Sequence, residues 1–206
     1  MNGHLPRLAA ALALMMLLSG CAAGVTHTLY DEYGRSKPYT SAALPVVWDG
    51  GPEDKKEADA VTGLFRKMSL EKMSLMNYRM LPLDETDRRL AGAANADKLS
   101  KEELAALKTD SALRVRIVKW NSSKIAAYSA LTVKALFSLY SKDGELLWEA
   151  AYATKESDLK LDAEPMELAI LKAYEPRVQR FVDMVLSTLP VAEEPSGSET
   201  FFQWLP

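Results

Sequence analysis

The chain has 206 residues, with 25 basic against 28 acidic side chains, two histidines and one cysteine. That length holds one domain with a sizeable core. The slight acidic balance lacks the basic surplus expected of a nucleic-acid binder, and a single cysteine excludes an internal disulfide.

Residues 1–20 read as a lipoprotein signal peptide. Pro6 and a single cation, Arg7, precede an unbroken apolar run from Leu8 to Leu18. The run has the length of a signal-peptide h-region, about 7–15 residues. It falls short of the roughly 20 apolar residues that a spanning helix needs. Leu18-Ser19-Gly20-Cys21 then has the pattern of a lipobox. Small residues admit the backbone to a peptidase cleft, and the Cys21 thiol accepts diacylglycerol. The competing reading is a plain secretory signal with an incidental cysteine. It leaves unexplained why the cysteine sits where the apolar run ends. Ala22 follows Cys21 where an inner-membrane lipoprotein typically carries aspartate, so the expected location is the outer membrane. Removing residues 1–20 takes away Arg7 alone among the charges and leaves 186 residues, 24 of them basic and 28 acidic.

Residues 21–40 are polar, contain Gly24, Gly34 and Pro38, and read as a lipidated tether. Residues 41–190 carry the periodicity of one α/β domain. Ala42 to Trp48 is a short apolar run, consistent with a buried strand. Asp49-Gly50-Gly51-Pro52 ends it. Val61, Leu64, Phe65 and Met68 share one stripe of an amphipathic helix over Glu53–Lys72. Tyr78–Leu81 reads as a second strand, with Asp84 placed to cap a short helix after it. Ser100 and Glu103 form a capping-box pattern that opens another helix, running to about Lys108.

The period then changes. Leu113, Val115 and Ile117 alternate with Arg114, Arg116 and Val118, and Leu131–Leu139 alternates again. Asp143-Gly144 is a hairpin signal, with Leu146, Trp148, Ala150 and Tyr152 alternating on the return strand. Pro165 opens a helical segment that Pro176 should break, kink or restart. Val178, Phe181, Val182, Val185, Leu186 and Leu189 form an apolar stripe beyond it. The predicted fold is α/β, with a mixed sheet whose first three strands are parallel and whose last three form an antiparallel meander, and helices on its faces. Residues 191–206 read as a flexible tail ending in Phe201-Phe202-Gln203-Trp204-Leu205-Pro206, which either folds back on the domain or docks on a partner.

Leu44-Pro45-Val46, Tyr78–Thr86 and Asp143–Glu149 resemble a family of bacterial outer-membrane lipoproteins of unknown function, over about Ser41 to Pro190. That family is similar to the N-terminal domain of TolB and to the periplasmic domain of the curli secretion channel. The resemblance implies the same mixed α/β architecture and brings no catalytic residues with it.

The mature sequence offers little to chemistry. Its one histidine, His27, lies in the expected tether, so no Ser-His-Asp or Cys-His arrangement can be built on a rigid scaffold. A His/Cys zinc site lacks ligands. Gly50-Gly51 has no Gly-Lys-Ser/Thr after it and reads as a strand-to-helix turn. Arg114, Arg116 and Lys119 make a basic stripe, read as a solvated face or as a contact for anionic lipid headgroups or peptidoglycan. The sequence therefore assigns lipidation at Cys21, no catalytic residue, no cofactor and no metal. The expected protein is a non-enzymatic, lipid-anchored envelope lipoprotein, a structural or accessory part of an outer-membrane assembly or secretion system. Its partners would be the membrane through Cys21, and other envelope lipoproteins or a second copy. The alternative is a ligand-binding lipoprotein that captures a small molecule or a cell-wall fragment.

Overall fold

A computed structural model describes residues 24–49, 55–90, 100–123, 131–154 and 170–195. Seven strands form one mixed sheet: β1 (Thr26–Leu29), β2 (Thr40–Ala43), β3 (Val47–Trp48), β4 (Arg79–Leu81), β5 (Ser111–Asn121), β6 (Thr132–Ser141) and β7 (Leu146–Ala153). Five helices accompany them: α1 (Asp31–Ser36), α2 (Lys55–Leu75), α3 (Leu83–Arg89), α4 (Lys101–Ala106) and α5 (Ile170–Leu186). The strand order is β1-β7-β6-β5-β2-β4, with β3 also paired to β5. β2 is parallel to both β4 and β5, while β5, β6 and β7 form the antiparallel meander, as the periodicity predicts.

The apolar alternation of the long strands faces α2 and α5. Val115, Ile117, Phe137, Trp148, Ala150 and Tyr152 are buried on the sheet side, with Val61, Phe65 and Met68 from α2 and the whole expected α5 stripe above them. Phe181 is the centre of this layer. Its ring lies 5.7 Å from Phe65 and 5.1 Å from Tyr152. A smaller core on the other face joins Ala42, Leu44 and Ala112 to Leu90, Leu104 and Leu107 under α3 and α4. Arg66 ties the parts together. Its Nε donates to the Ala43 carbonyl at 2.9 Å, and its two terminal nitrogens hold Asp87 at 3.0 and 2.6 Å.

Local signals fare unevenly. The capping box is formed, with Glu103 N donating to Ser100 Oγ at 3.2 Å and Ser100 N donating to Glu103 Oε2 at 2.6 Å. Gly144 takes φ +82°, and the Gly144 N–H closes the hairpin turn on the Ser141 carbonyl at 3.0 Å. Asp84, by contrast, does not cap. The α3 N-cap is Pro82, which has no side chain able to accept, and Asp84 and Glu85 in the first turn instead pair with Arg88 and Arg89. The run Ala42–Trp48 is two strands, β2 and β3, stepped around Pro45, whose missing N–H cannot join a ladder. Helix α5 continues through Pro176.

The ends of the domain also differ from expectation. Residues 26–36, read as tether, are β1 and α1. β1 pairs antiparallel with β7, Thr26 opposite Ala151 and Leu29 opposite Trp148. All four β1 residues are exposed, so this edge strand has no buried face to leave an alternation in the sequence. Tyr33 of α1 shares a 2.7 Å hydroxyl hydrogen bond with Tyr78, and Tyr78 donates to the Pro190 carbonyl at 2.9 Å. At the other terminus Ala192 is buried, with its N–H on the Met76 carbonyl at 2.9 Å, so the domain runs past Pro190. The aromatic residues 201–206 lie outside the described residues. A protein starting at Ser41 loses β1, α1 and Tyr78's partner, and is expected to melt at least about 1 kcal/mol below one starting at Ala22, as read by denaturant titration.

Trp148 is fully buried in the main core. The face assigned to it needs one correction. Leu139 pairs with Trp148 but Tyr140 pairs with Leu146, so Leu147 is the extra residue of a β-bulge, and Leu146 turns to the opposite face with Tyr140. Truncating Trp148 to alanine is expected to cost about 3–5 kcal/mol, a severe fraction of a typical total of about 5–15 kcal/mol. Glu149→Ala, on the other face, is expected to stay within about 0.5 kcal/mol. Equal melting of the two variants would overturn this placement.

Candidate functional site

Cys21 lies outside the described residues. The sheet begins at Thr26, so the chain enters the fold almost at once after the cysteine. Thr26 sits at one end of the sheet, the end where β3, β5 and β7 finish and β6 begins.

A polar and aromatic cluster occupies that end. A bulge in β5 makes it possible. Ile117 pairs with Ala135, but Lys119 pairs with Lys134, which leaves Val118 as the extra residue. Continued alternation would have sent Lys119 into the core and Trp120 away from it. The bulge reverses both, and Trp120 re-enters the core face opposite Val133. There the Trp120 indole lies 5.9 Å from Trp48 and 5.3 Å from Tyr174, edge-on to each. Glu57, in the first turn of α2, is the hub: its Oε1 accepts from Trp120 Nε1 at 2.9 Å, from Ser122 Oγ at 2.7 Å and from Tyr174 Oη at 2.7 Å. Burial pushes the Glu57 carboxyl up, but the hydrogen bonds from Ser122, Tyr174 and Trp120 outweigh it and hold the group below the ordinary carboxylate value. The positive end of α2 favours the same charged form. The carboxylate therefore stays ionised and joins α2, β5 and α5.

The other residues singled out by sequence are dispersed. His27 is exposed on β1 opposite Ala150. Asp84 and Glu85 are held by arginines on α3. In the basic stripe, Arg114 is buried, Arg116 donates to Asp49 at 2.9 Å, and Lys119 is exposed beside Lys134. Gly50-Gly51 lies outside the described residues. Among the described residues no three His, Cys, Asp or Glu side chains gather to hold a metal, and no helix is long and apolar enough to cross a membrane. Sequence reasoning missed Glu57 and Tyr174. Only pairing register and tertiary packing bring them to Trp120.

At the opposite end of the sheet, Leu29, Tyr33, Pro38, Pro190 and Val191 line an open groove of about 290 Å³, rimmed by the Lys37–Glu193 ion pair at 3.3 Å. Leu29 and Val191 are 48% and 58% exposed there.

No family model matches the chain, and no curated protein does. Solved structures give distant likenesses. A PelC dodecamer from Paraburkholderia phytofirmans matches at 10% identity and a TM-score of 0.44, over 77% of this chain and 96% of that one. A lipoprotein from Neisseria meningitidis matches at 19% identity and a TM-score of 0.44, over 59% of this chain and 85% of that one. A DUF4136 family protein from Bacteroides thetaiotaomicron matches at 9% identity and a TM-score of 0.34, over 76% and 92%. At these values the likenesses assign no function to this chain.

Glu57 makes a pH-dependent contribution to stability. A carboxylate whose folded pKa is lowered stabilises the protein above its unfolded value and loses that contribution as pH falls through the folded one. Glu57→Gln keeps an acceptor and removes the charge. At pH 7 it is expected to cost about 0.5–1 kcal/mol, since partial exposure screens the bonds. The difference should shrink towards zero as thermal melts are repeated at lower pH. A gap that persists unchanged down to the lowest pH at which the protein stays folded would place the effect in packing.

Proposed function

We propose that this chain is a non-enzymatic lipoprotein held on the outer membrane by acyl chains on Cys21. In this reading it serves as a structural or accessory part of an envelope assembly. The observation that carries the reading is the placement of the sole cysteine, directly after a short apolar run and two small residues, and just ahead of the first strand of the fold. A lone cysteine in an exported chain has no intramolecular partner to oxidise with, and acylation gives it a role. Each buried methylene adds about 0.8 kcal/mol, so several acyl chains anchor stably where one would not. Ala22 supports outer-membrane sorting. The resemblance of Leu44–Val46, Tyr78–Thr86 and Asp143–Glu149 to envelope lipoproteins of the TolB-like kind supports an assembly role, beside other lipoproteins or a second copy.

The second reading, capture of a small molecule or cell-wall fragment, rests on the groove at Leu29 and Val191, whose apolar walls and charged rim are of a kind that binds small ligands. A thermal shift with muropeptides that disappears in Val191→Asp would favour it.

The anchor is tested by metabolic labelling. Palmitate should enter the wild type and not Cys21→Ser, and the variant should leave the membrane fraction. Equal labelling of both would refute the lipoprotein reading.

A further inference from the structure

Three observations set apart the end of the sheet where β1 starts. The first is reach. Cys21 and Thr26 are five positions apart in the sequence. A fully extended chain covers at most about 3.3–3.6 Å per residue, so the acylated cysteine lies within roughly 18 Å of Thr26. If Cys21 carries the acyl chains, as the proposed function holds and as this inference requires, the bilayer lies within that distance. Thr26 pairs with Ala151, and the next position along that face of the sheet is the row Ala153, Lys134, Lys119.

The second observation is charge. Two described carboxylates at this end are engaged, Asp49 by Arg116 and Glu57 by Trp120, Ser122 and Tyr174, while Asp59 is exposed on α2, four residues after Lys55. Lys119 and Lys134 are not engaged. They are direct partners across β5 and β6, both exposed, with no carboxylate on either among the described residues. Like charges directly opposite in a ladder repel. Lys55, also exposed, stands in the first turn of α2, where the helix disfavours a cation. An anionic surface relieves both unfavourable placements.

The third is the apolar component. Val118 is thrust out by the bulge to 38% exposure, next to Lys119. An exposed apolar side chain beside a lysine whose stem can snorkel is a mixture suited to headgroup level.

We propose that this end of the sheet rests on the bilayer that holds the protein's own acyl chains, with Lys119, Lys134 and Lys55 on lipid phosphates and Val118 at headgroup level. The protein then stands upright, with the Gly144 hairpin directed away from the membrane. Each lysine near an anionic surface favours contact by about fivefold, so the Lys119–Lys134 pair favours it by roughly 25-fold.

The chain has internal competitors. Glu53 and Asp54 directly precede Lys55, Asp59 follows it on α2, and residues 155–169, next after β7 in the sequence, hold five carboxylates and two lysines. The experiment separates these from the lipid. Because Cys21 is the only cysteine and would be blocked by acylation, Val118→Cys and Asp143→Cys each give one reactive thiol in the full lipidated protein. Each is labelled with a fluorophore and placed in phosphatidylcholine vesicles containing one-quarter phosphatidylglycerol and a headgroup-attached quencher. Strong quenching at position 118 and little at 143 is expected. Adding Lys119→Gln and Lys134→Gln should lower the ratio of docked to undocked protein at position 118 by about 25-fold, without lowering the melting temperature. Vesicles without phosphatidylglycerol should act in the same direction. Equal quenching at both positions would overturn the upright orientation. Quenching at 118 that ignores both the glutamines and the lipid charge would overturn the phosphate contact. Mass spectrometry of the N-terminus keeps the premises apart, since an unacylated Cys21 would refute the anchor itself, and the inference with it.

Discussion

The structure depends on β5 serving two kinds of partner at once. One edge of this strand pairs parallel with β2 and then β3, and the other pairs antiparallel with β6 along nearly its whole length. Parallel ladders need helical crossovers that return the chain to the same end, while a meander needs tight turns. β5 is where the two regimes meet, and both cores are built on it. Leu113, Val115 and Ile117 face the layer under α2 and α5, and Ala112 faces the one under α3 and α4. Its first residues are fixed by Asp110, whose carboxylate accepts from the Thr40 N–H and hydroxyl, each at 2.8 Å. Burial pushes that carboxyl up, yet the Thr40 and Tyr39 donors prevail and keep it below its usual range. The parallel pair therefore starts from a charged, local lock between β2 and β5.

Much of this architecture was legible in the residues, and the exceptions share a cause. Alternation in Leu113–Ile117, in Val133–Leu139 and in Trp148–Tyr152 reports a face that is buried, and each of these placements holds. The Ser100–Glu103 box and the Asp143-Gly144 turn are closed within a few residues, so they too could be read locally. Hidden features are those decided by a distant partner. Thr26–Leu29 buries no face and becomes a strand only because β7 offers an edge. Val118 and Leu147 are bulged because of the register that β6 imposes, and nothing in Arg116-Ile117-Val118-Lys119 announces it. Asp84 looked like a cap because its spacing fits, but Pro82 takes the N-cap position and the arginines of α3 take the carboxylate.

The candidate site follows the same logic. Glu57, Trp120, Ser122 and Tyr174 come from α2, the end of β5 and α5, and their meeting depends on the Val118 bulge turning one indole inward. The bulge also turns Lys119 to the face that carries Lys134. One irregularity thus makes a satisfied, charged junction on one side of the sheet and an unsatisfied pair of cations on the other. The cavity-like feature at Leu29 and Val191 lies at the far end, away from both.

The direction of β1 has a mechanical meaning. It runs from Thr26, the end nearer Cys21 in the sequence, to Leu29, along β7, with four register pairs between them. A pull transmitted from Cys21 acts along the axis of these strands, so the ladder is loaded in shear and its hydrogen bonds resist together. Had β1 run crosswise to that pull, the same bonds would have opened one after another like a zipper. Behind the ladder, Tyr33 is held by Tyr78 and, through it, by the Pro190 carbonyl, so tension that did detach β1 would next meet a junction between α1, the start of β4 and the end of the domain. Under the proposed acylation of Cys21, the short edge strand would be the splice between a fluid membrane and a rigid body.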